Sequence, residues 1–382
     1  MVLNLLNQLV SELKELGAIQ SIEVEKAFSK VLRHKLLETF YLPRDLQQPI
    51  EHKSSNPDSE HLKLIYSNNS LVTRISNGFP SSSTSEPLLM ARMIELLALS
   101  PNLKVLEVGT GTGYNSALIS EIVGNQNLVV SVDIQEDVIA QTKRLLSNAG
   151  YPNINLVLRD GFYGVEEEAP YDRIIATVGC FDISPHWVNQ LSTSGLMILP
   201  LHHGGWTPLV KIWQQEDRLK GKVVGISGFM PFKGDEFADE PAPFGFMNSV
   251  PIEEFEELPL FDNLEVEHTN NFLMWSAFPV NFYYFITISD SRAFWDIKPP
   301  GYGLYDKQEG IILISPQKNC IFFKGNRKLY NRLQKLYENW LELGKPSAFD
   351  YEIEFQPSPK AATSSKKGWN IKRKFYHQFL SL

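Results

Sequence analysis

Cysteine is scarce in this 382-residue chain: only Cys180 and Cys320 occur, with no CxxC pair and no Cys/His cluster. That excludes a disulfide framework and a structural zinc centre, and free thiols suit a reducing cytoplasm, the expected location. Long apolar runs are missing as well. No stretch approaches the ~18 uncharged apolar residues of a membrane-spanning helix. The opening MVLNLLNQLVSELKELG lacks the basic start, apolar block and small-residue cleavage site of a secretion signal. Positive charge is in deficit. The 36 Lys and Arg face 44 Asp and Glu, a net charge of −8, so there is no broad electrostatic footprint for nucleic acid. Neither a nucleic acid nor a membrane is expected as a partner, and no internal repeat is visible.

What is present is an ordinary globular composition, 43% hydrophobic and 21% charged, sufficient for a full core. At about 150 residues per domain the length suggests two domains. Leu6, Val10 and Leu13 predict an N-terminal helix ended by Gly17, and Ser21, followed by Glu23 and Glu25, predicts the cap of a second. Residues 44–61, polar and containing Pro49 and Pro57, read as a loop. From about 88 to 232 the pattern predicts helices over 88–99, 114–123, 136–149 and 187–191. Strands are predicted over 104–108, 128–134, 154–158, 173–177 and 195–201. Such alternation implies right-handed crossovers and a parallel sheet. The runs 208–214 and 222–232 have no helix between them and predict an antiparallel edge.

Beyond about 235 the composition shifts. Glu253, Glu254, Glu256, Glu257, Asp262, Glu265 and Glu267 read as a solvated acidic face. FYYFITI (282–288) and GIILIS (310–315) read as strands. Leu329, Leu333, Leu336, Trp340 and Leu343 predict an amphipathic helix, stopped by Gly344 and Pro346. From Phe355 onward Lys360, Lys366, Lys367, Lys372, Arg373 and Lys374 read as a mobile basic tail. The expected organisation is an N-terminal helical region (1–80), an α/β domain (81–235) and a C-terminal α+β domain (236–382).

The string VLEVGTGTGYN (105–115) carries the chemistry. A strand runs into Gly109, Gly111 and Gly113 and then into a helix, so the backbone can turn sharply and a ligand can approach it. Asp133 ends the next strand, about twenty residues on, where a carboxylate can accept from two ribose hydroxyls. Two nucleotide-type ligands compete. A dinucleotide calls for GxGxxG, whereas the spacing here is GxGxG with Glu107 just before it. A carboxylate there repels a pyrophosphate and suits a cofactor with an ammonium and a sulfonium. The balance favours S-adenosylmethionine. Asp160, followed by Gly161 after the third strand, can accept from an adenine amino group.

At these residues the chain resembles the protein-L-isoaspartate O-methyltransferases over roughly residues 20–235. Five blocks occur in order: SSSTSEPLLMARMIELL (81–97), KVLEVGTGTGYNSALISEIVG (104–124), VLRDGFYGVEEEAPYDRIIAT (157–177), LMILPL (196–201) and GFMPFKG (228–234). The resemblance implies a class I, Rossmann-like methyltransferase with a mostly parallel seven-stranded sheet. It implies methyl transfer from S-adenosylmethionine to an isoaspartyl or aspartyl carboxylate of a protein or peptide. Carried over residue by residue, Glu107, Gly109, Gly111 and Gly113 match the methionine-binding turn, Asp133 the ribose acid, and Asp160 and Gly161 the adenine pair. Ser85 matches the catalytic serine that positions the acceptor carboxylate; its other reading is a helix N-cap before Pro87.

Departures from the family pattern are Leu88 in place of His, and Val178-Gly179-Cys180-Phe181 in place of Ala-Ala-Ala-Pro. They leave two alternatives open: an Asp of a ribosomally made precursor peptide as acceptor, and a cofactor-binding protein that recognises peptides without turnover. Cys180 reads as a packing residue without a His partner. His202 and His203 are too few to bind a metal. Ser81–Ser83 read equally as substrate contacts or as a solvated loop.

Overall fold

The N-terminal helices form where their apolar residues share a face. In α1 (Val2–Glu15) Leu6, Leu9, Val10 and Leu13 are buried, and Gly17 turns the chain at φ +65°. Ser21 caps α2 (Ile22–Lys30) by accepting from the Val24 amide, with Glu23 and Glu25 at the positive end of the helix dipole. The computed structural model describes residues 1–42, 45–53, 55–204, 206–238, 254–262, 264, 280–297, 300–358 and 368–382. The loop expected over 44–61 holds two regular elements. β1 (Thr39–Leu42) pairs antiparallel with β2 (Asp45–Glu51), and Asp58 caps α3 (Ser59–Ile65) by accepting from the Glu60 and His61 amides. Polarity concealed both. β2 is the edge of a four-stranded sheet, where Pro49 leaves no ladder bond unmade. β3 (Leu71–Ser76) and β4 (Phe79–Thr84) complete that sheet through an Asn77-Gly78 turn with both residues at positive φ. Ser81 and Ser82 are therefore buried strand residues and not a solvated loop.

After α4 (Pro87–Leu97) the chain alternates as predicted. β5 (Val105–Val108), α5 (Tyr114–Val123), β6 (Val129–Asp133), α6 (Glu136–Ala149) and β7 (Asn155–Leu158) follow in turn. Then come β8 (Tyr171–Ala176), α7 (Pro185–Gln190) and β9 (Leu191–Pro200). The five strands pair in parallel in the order β7-β6-β5-β8-β9. β10 (Thr207–Gln215) and β11 (Arg218–Ser227) add the antiparallel hairpin.

Past residue 235 the chain builds a further, antiparallel sheet, distinct from the four-stranded sheet of β1–β4 and from the large sheet. β12 (Glu256–Pro259), α8 (Val280–Ser289), β13 (Ala293–Ile297), β14 (Pro300–Asp306), β15 (Gly310–Ser315), β16 (Cys320–Gly325) and α9 (Arg327–Glu342) occur in that order along the chain. The strand order is β12-β16-β15-β14-β13. FYYFITI is helix α8, not a strand. Phe282, Tyr283, Tyr284, Phe285, Ile286 and Ile288 are all buried, so no face is polar and no helical period shows. Its aromatic and β-branched residues carry strand propensity, which burial between two sheets overrides.

The chain then returns to the large sheet of β5–β11. β17 (Glu352–Pro357) pairs with β11, and β19 (Tyr376–Ser381) with β17. β18 (Trp369–Ile371) forms the outer edge. The expected seven-stranded, mostly parallel sheet is thus ten strands wide among the described residues, with the parallel order confined to β7 through β9. The basic tail is not mobile where described. Tyr376, Gln378 and Leu380 are buried at alternate positions while the intervening residues face outward. One apolar cluster runs from Leu106 on β5 through α8 to Leu380, so described residues beyond 236 share their core with the large sheet. On the acidic stretch Glu254 pairs with Lys324 and Glu256 with Arg327 at exposed positions. Glu253, Glu265, Glu267, Lys360, Lys366 and Lys367 lie outside the described residues. No helix among the described residues is long and apolar enough to cross a membrane.

Candidate active site

β5 ends at the carboxyl edge of the sheet, where ligands of open α/β folds bind. The Gly109 amide donates to the Val132 carbonyl on β6 at 2.9 Å, and the turn proceeds through three left-handed glycines, at φ +101°, +52° and +77°. A Cβ on Gly109 would lie 2.8 Å from Thr177 Oγ1, one on Gly111 3.0 Å from the Ser83 carbonyl, and one on Gly113 2.8 Å from Thr142 Cγ2. Conformation and space both demand glycine here. Two hydroxyls fix the loop: Thr177 Oγ1 donates to the Gly109 carbonyl and Thr142 Oγ1 to the Gly111 carbonyl, each at 2.7 Å.

The acids divide into two kinds. Asp133 closes β6 beside the turn, accepting the Gly111 amide at 3.3 Å and the Gln135 amide at 3.0 Å. Each oxygen keeps a lone pair for a ligand. Asp160 accepts the Phe162 amide at 2.9 Å and the Asp235 amide at 3.2 Å, and it caps the 3-10 turn Gly161–Tyr163. A Cβ on Gly161 would meet Val108 Cγ1 at 2.7 Å. Glu107 is different. It is fully buried, and its oxygens accept from Ser116, from Ser131 at 2.7 Å and from Asn115 at 2.8 Å. Burial pushes its pKa up, the three donors pull against that, and none of its surface is exposed. Sequence position does not reveal this difference, because both acids lie near the ends of core strands: Asp133 is the last residue of β6 and Glu107 the last but one of β5.

β4 carries the serine segment over the turn. The Ser83 carbonyl faces Gly111, and the Ser81 carbonyl accepts from Gln135 Nε2 at 3.1 Å. Ser85 is partly exposed two residues later, and the N-cap of α4 is Glu86, so Ser85 is not a helix cap. Its carbonyl accepts from Arg33 Nη2 at 3.0 Å. Arg33 escaped the sequence reading. Fully buried, it also donates to the Ile65, Ser67 and Asn69 carbonyls, and burial pushes its pKa down to about 10. Thr84 Oγ1 and Asn115 Oδ1, on either side of the turn, are buried without a hydrogen-bond partner. Ile134, next to Asp133, and Tyr163, two residues after Gly161, are large and largely apolar yet 41% and 40% exposed. Position just after the acid is the signal that could have found Ile134.

The divergent loop after β8 is tied down by backbone. The Gly179 amide donates to the Met230 carbonyl and the Phe232 amide to the Gly179 carbonyl, both at 2.8 Å. Cys180 is buried, and desolvation pushes its thiol pKa up, away from nucleophile chemistry. Among the described residues no three His, Cys, Asp or Glu side chains group as metal ligands.

The profile of the family described as Protein-L-isoaspartate(D-aspartate) O-methyltransferase matches residues 4–236. The protein-L-isoaspartate O-methyltransferase of Dictyoglomus thermophilum is 33% identical over 228 residues, 60% of this chain and 90% of that protein. The Thermotoga maritima enzyme of the same description is 39% identical over 141 residues, which is 37% of this chain but under half, 44%, of that protein. A solved structure described as a protein-L-isoaspartate O-methyltransferase is similar over 91% of this chain and 96% of its own, at a TM-score of 0.53 and 23% identity. That likeness runs past residue 236, so the added elements are part of a shared fold. With a matching profile over most of its length and the turn, acids and serine segment in place, the chain belongs to the protein-L-isoaspartate(D-aspartate) O-methyltransferase family.

Proposed function

We propose that the chain methylates an isoaspartyl carboxylate of a protein or peptide with S-adenosylmethionine. That cofactor supplies an electrophilic sulfonium methyl and departs as a neutral thioether. The glycine turn leaves room for it against main chain. Asp133 accepts from the ribose hydroxyls, Asp160 and Gly161 meet the adenine edge, and Ile134 and Tyr163 offer it apolar faces. Thr84 Oγ1 and Asn115 Oδ1, the two buried atoms in need of partners, suit the polar methionine end. Glu107 holds the turn through Asn115, Ser116 and Ser131 and touches no ligand directly.

The acceptor carboxylate, with a pKa of about 4, is ionised at neutral pH, so no general base is required. Ser85 donates to one carboxylate oxygen and leaves the other in line with the methyl. Alignment of this kind supplies on the order of 7–11 kcal/mol of a barrier. The product ester, unlike a carboxylate, carries a methoxy leaving group, so a backbone amide nitrogen can attack its carbonyl, lose its proton and close a succinimide as methanol departs. Free thiols on Cys180 and Cys320 support a reducing, cytoplasmic setting.

The observation that carries this reading is the contact of the Asp133 carboxylate with the Gly111 amide, directly under the segment leading to Ser85. The test uses labelled S-adenosylmethionine with an isoaspartyl peptide and its aspartyl twin. Base-labile methyl ester on the isoaspartyl peptide is expected. Ester on neither peptide, or tight binding of NADH with none of S-adenosylhomocysteine, overturns the reading.

A further inference from the structure

The carboxylate of Asp160 is held by two backbone amides, and both lie in segments gripped by the turn between β18 and β19. The Phe162 amide is one donor; the Phe375 ring packs on the Phe162 ring at a centroid distance of 5.0 Å. The Asp235 amide is the other; Lys374 Nζ bonds the adjacent Glu236 at its carboxylate (2.5 Å) and its carbonyl (3.2 Å). The turn is itself anchored. Asp182, on the loop after β8, accepts the Phe375 amide at 2.6 Å and the Tyr376 amide at 3.3 Å, and Arg373 Nη2 donates to the His202 carbonyl at 2.5 Å. The end of the chain therefore crosses the carboxyl edge of the sheet and touches the loops after β7, β8 and β9.

We propose that Lys374 and Phe375 are positioning residues for the cofactor: they clamp the two segments that orient Asp160, and so set affinity for the adenosyl group from outside the 4–236 unit. This rests on the methyl-donor reading above. Without the clamp, Phe162 loses the nearest of its ring neighbours while keeping Tyr163, His186 and Phe237, Glu236 loses its cation, and the two amides on Asp160 are held less firmly together. An acid that wanders meets the adenine edge in only part of its conformations, and affinity falls by the fraction of time it is misplaced. The peptide acceptor binds beside Ser85, on the other side of the turn, and does not feel the change. A segment distant in sequence thus acts on the cofactor alone.

The test is calorimetric binding of S-adenosylhomocysteine to the full chain and to Phe375→Ala, Phe375→Tyr and Lys374→Ala. Peptide KM is measured in parallel at saturating cofactor, with melting curves to verify folding. Phe375→Ala is expected to raise the Kd roughly tenfold and Lys374→Ala several-fold. Phe375→Tyr, which keeps the ring, should stay within about twofold of the parent, and peptide KM should not move. If Phe375→Ala does not fold, the exposed Lys374→Ala carries the test. Folded variants with parental Kd overturn the clamp while leaving the methyl-donor reading intact. So does a rise in peptide KM at constant Kd, which makes the turn a wall of the acceptor site. Failure of the parent itself to bind S-adenosylhomocysteine overturns both.

Discussion

At the scale of single residues, each role follows from what surrounds the side chain. Asp133 ends core strand β6, and Glu107 is the last residue but one of core strand β5. One keeps lone pairs at the edge of the turn, and the other gives its oxygens to three side-chain donors inside the protein. Arg33 shows the same logic in a cation. Its planar fork satisfies four carbonyls from separate segments, which the compact ammonium of a lysine could not do. Ser85 lies on a backbone held by that fork and has no capping duty, so its hydroxyl is free for the acceptor. Ser85→Ala is expected to lower kcat by about ten- to a hundredfold, as for loss of one hydrogen bond to a charged group at ~1.5–3 kcal/mol. S-adenosylhomocysteine affinity should stay within about twofold. Steady-state rates and calorimetry decide it, and unchanged turnover would remove Ser85 from the active site.

At the scale of elements, local pattern was a good guide where one face meets water. α6 occupies the predicted span, with Gly150 at its end, because its apolar stripe and left-handed cap are written in neighbouring residues. α8 defeated the same reasoning because it has no wet face. Phe282 packs on Trp340 and Tyr337 of α9, Tyr283 on Tyr302 of β14, and Tyr284 on Trp206. The helix is a wedge shared by both sheets, so damage to it should reach both. Phe282→Ala is expected to cost ~3–5 kcal/mol, as for a large aromatic removed from a packed core. Denaturant unfolding should remain one cooperative transition by far-UV and aromatic signals. Two separated transitions would show that the sheets unfold independently.

At the scale of the molecule, buried imidazoles set the response to acid. His34 and His202 are pushed down to about 4 by burial, His52 is lowered, and His203 lies well below its usual value, all first through desolvation. Between pH 6.5 and 4 the unfolded chain binds protons that the folded chain refuses, so stability is lost as pH falls through that window. Asp182 works in the other direction. Burial raises it to about 6, so the folded state gains relative stability as pH falls toward 4. A shift of that size is on the order of 3 kcal/mol for each group; Glu86 and Glu107, also raised by burial, act with Asp182, but the four lowered histidines, joined by the lowered carboxylates of Glu38, Asp290 and Glu354, outweigh them. Chemical denaturation at pH 7 and 4.5 should therefore show a drop of several kcal/mol. Equal stabilities would mean that these imidazoles are not held neutral.

Strand, glycine turn and helix over 105–123, with the acids after the next two strands, were legible because each requirement is local. Positive φ demands glycine, an alternating helix–strand run demands a parallel sheet, and a carboxylate at a strand end is visible by spacing. The sequence by itself determined the turn, the family resemblance and the class of ligand. Only the tertiary structure decided the rest. The ten-strand width, the identity of α8, Arg33 beneath Ser85 and the turn behind Asp160 all depend on partners remote in the chain. Whether a run of aromatics is strand or helix, or a basic stretch a tail or a clamp, is settled by what buries it, and burial is a property of the assembled chain.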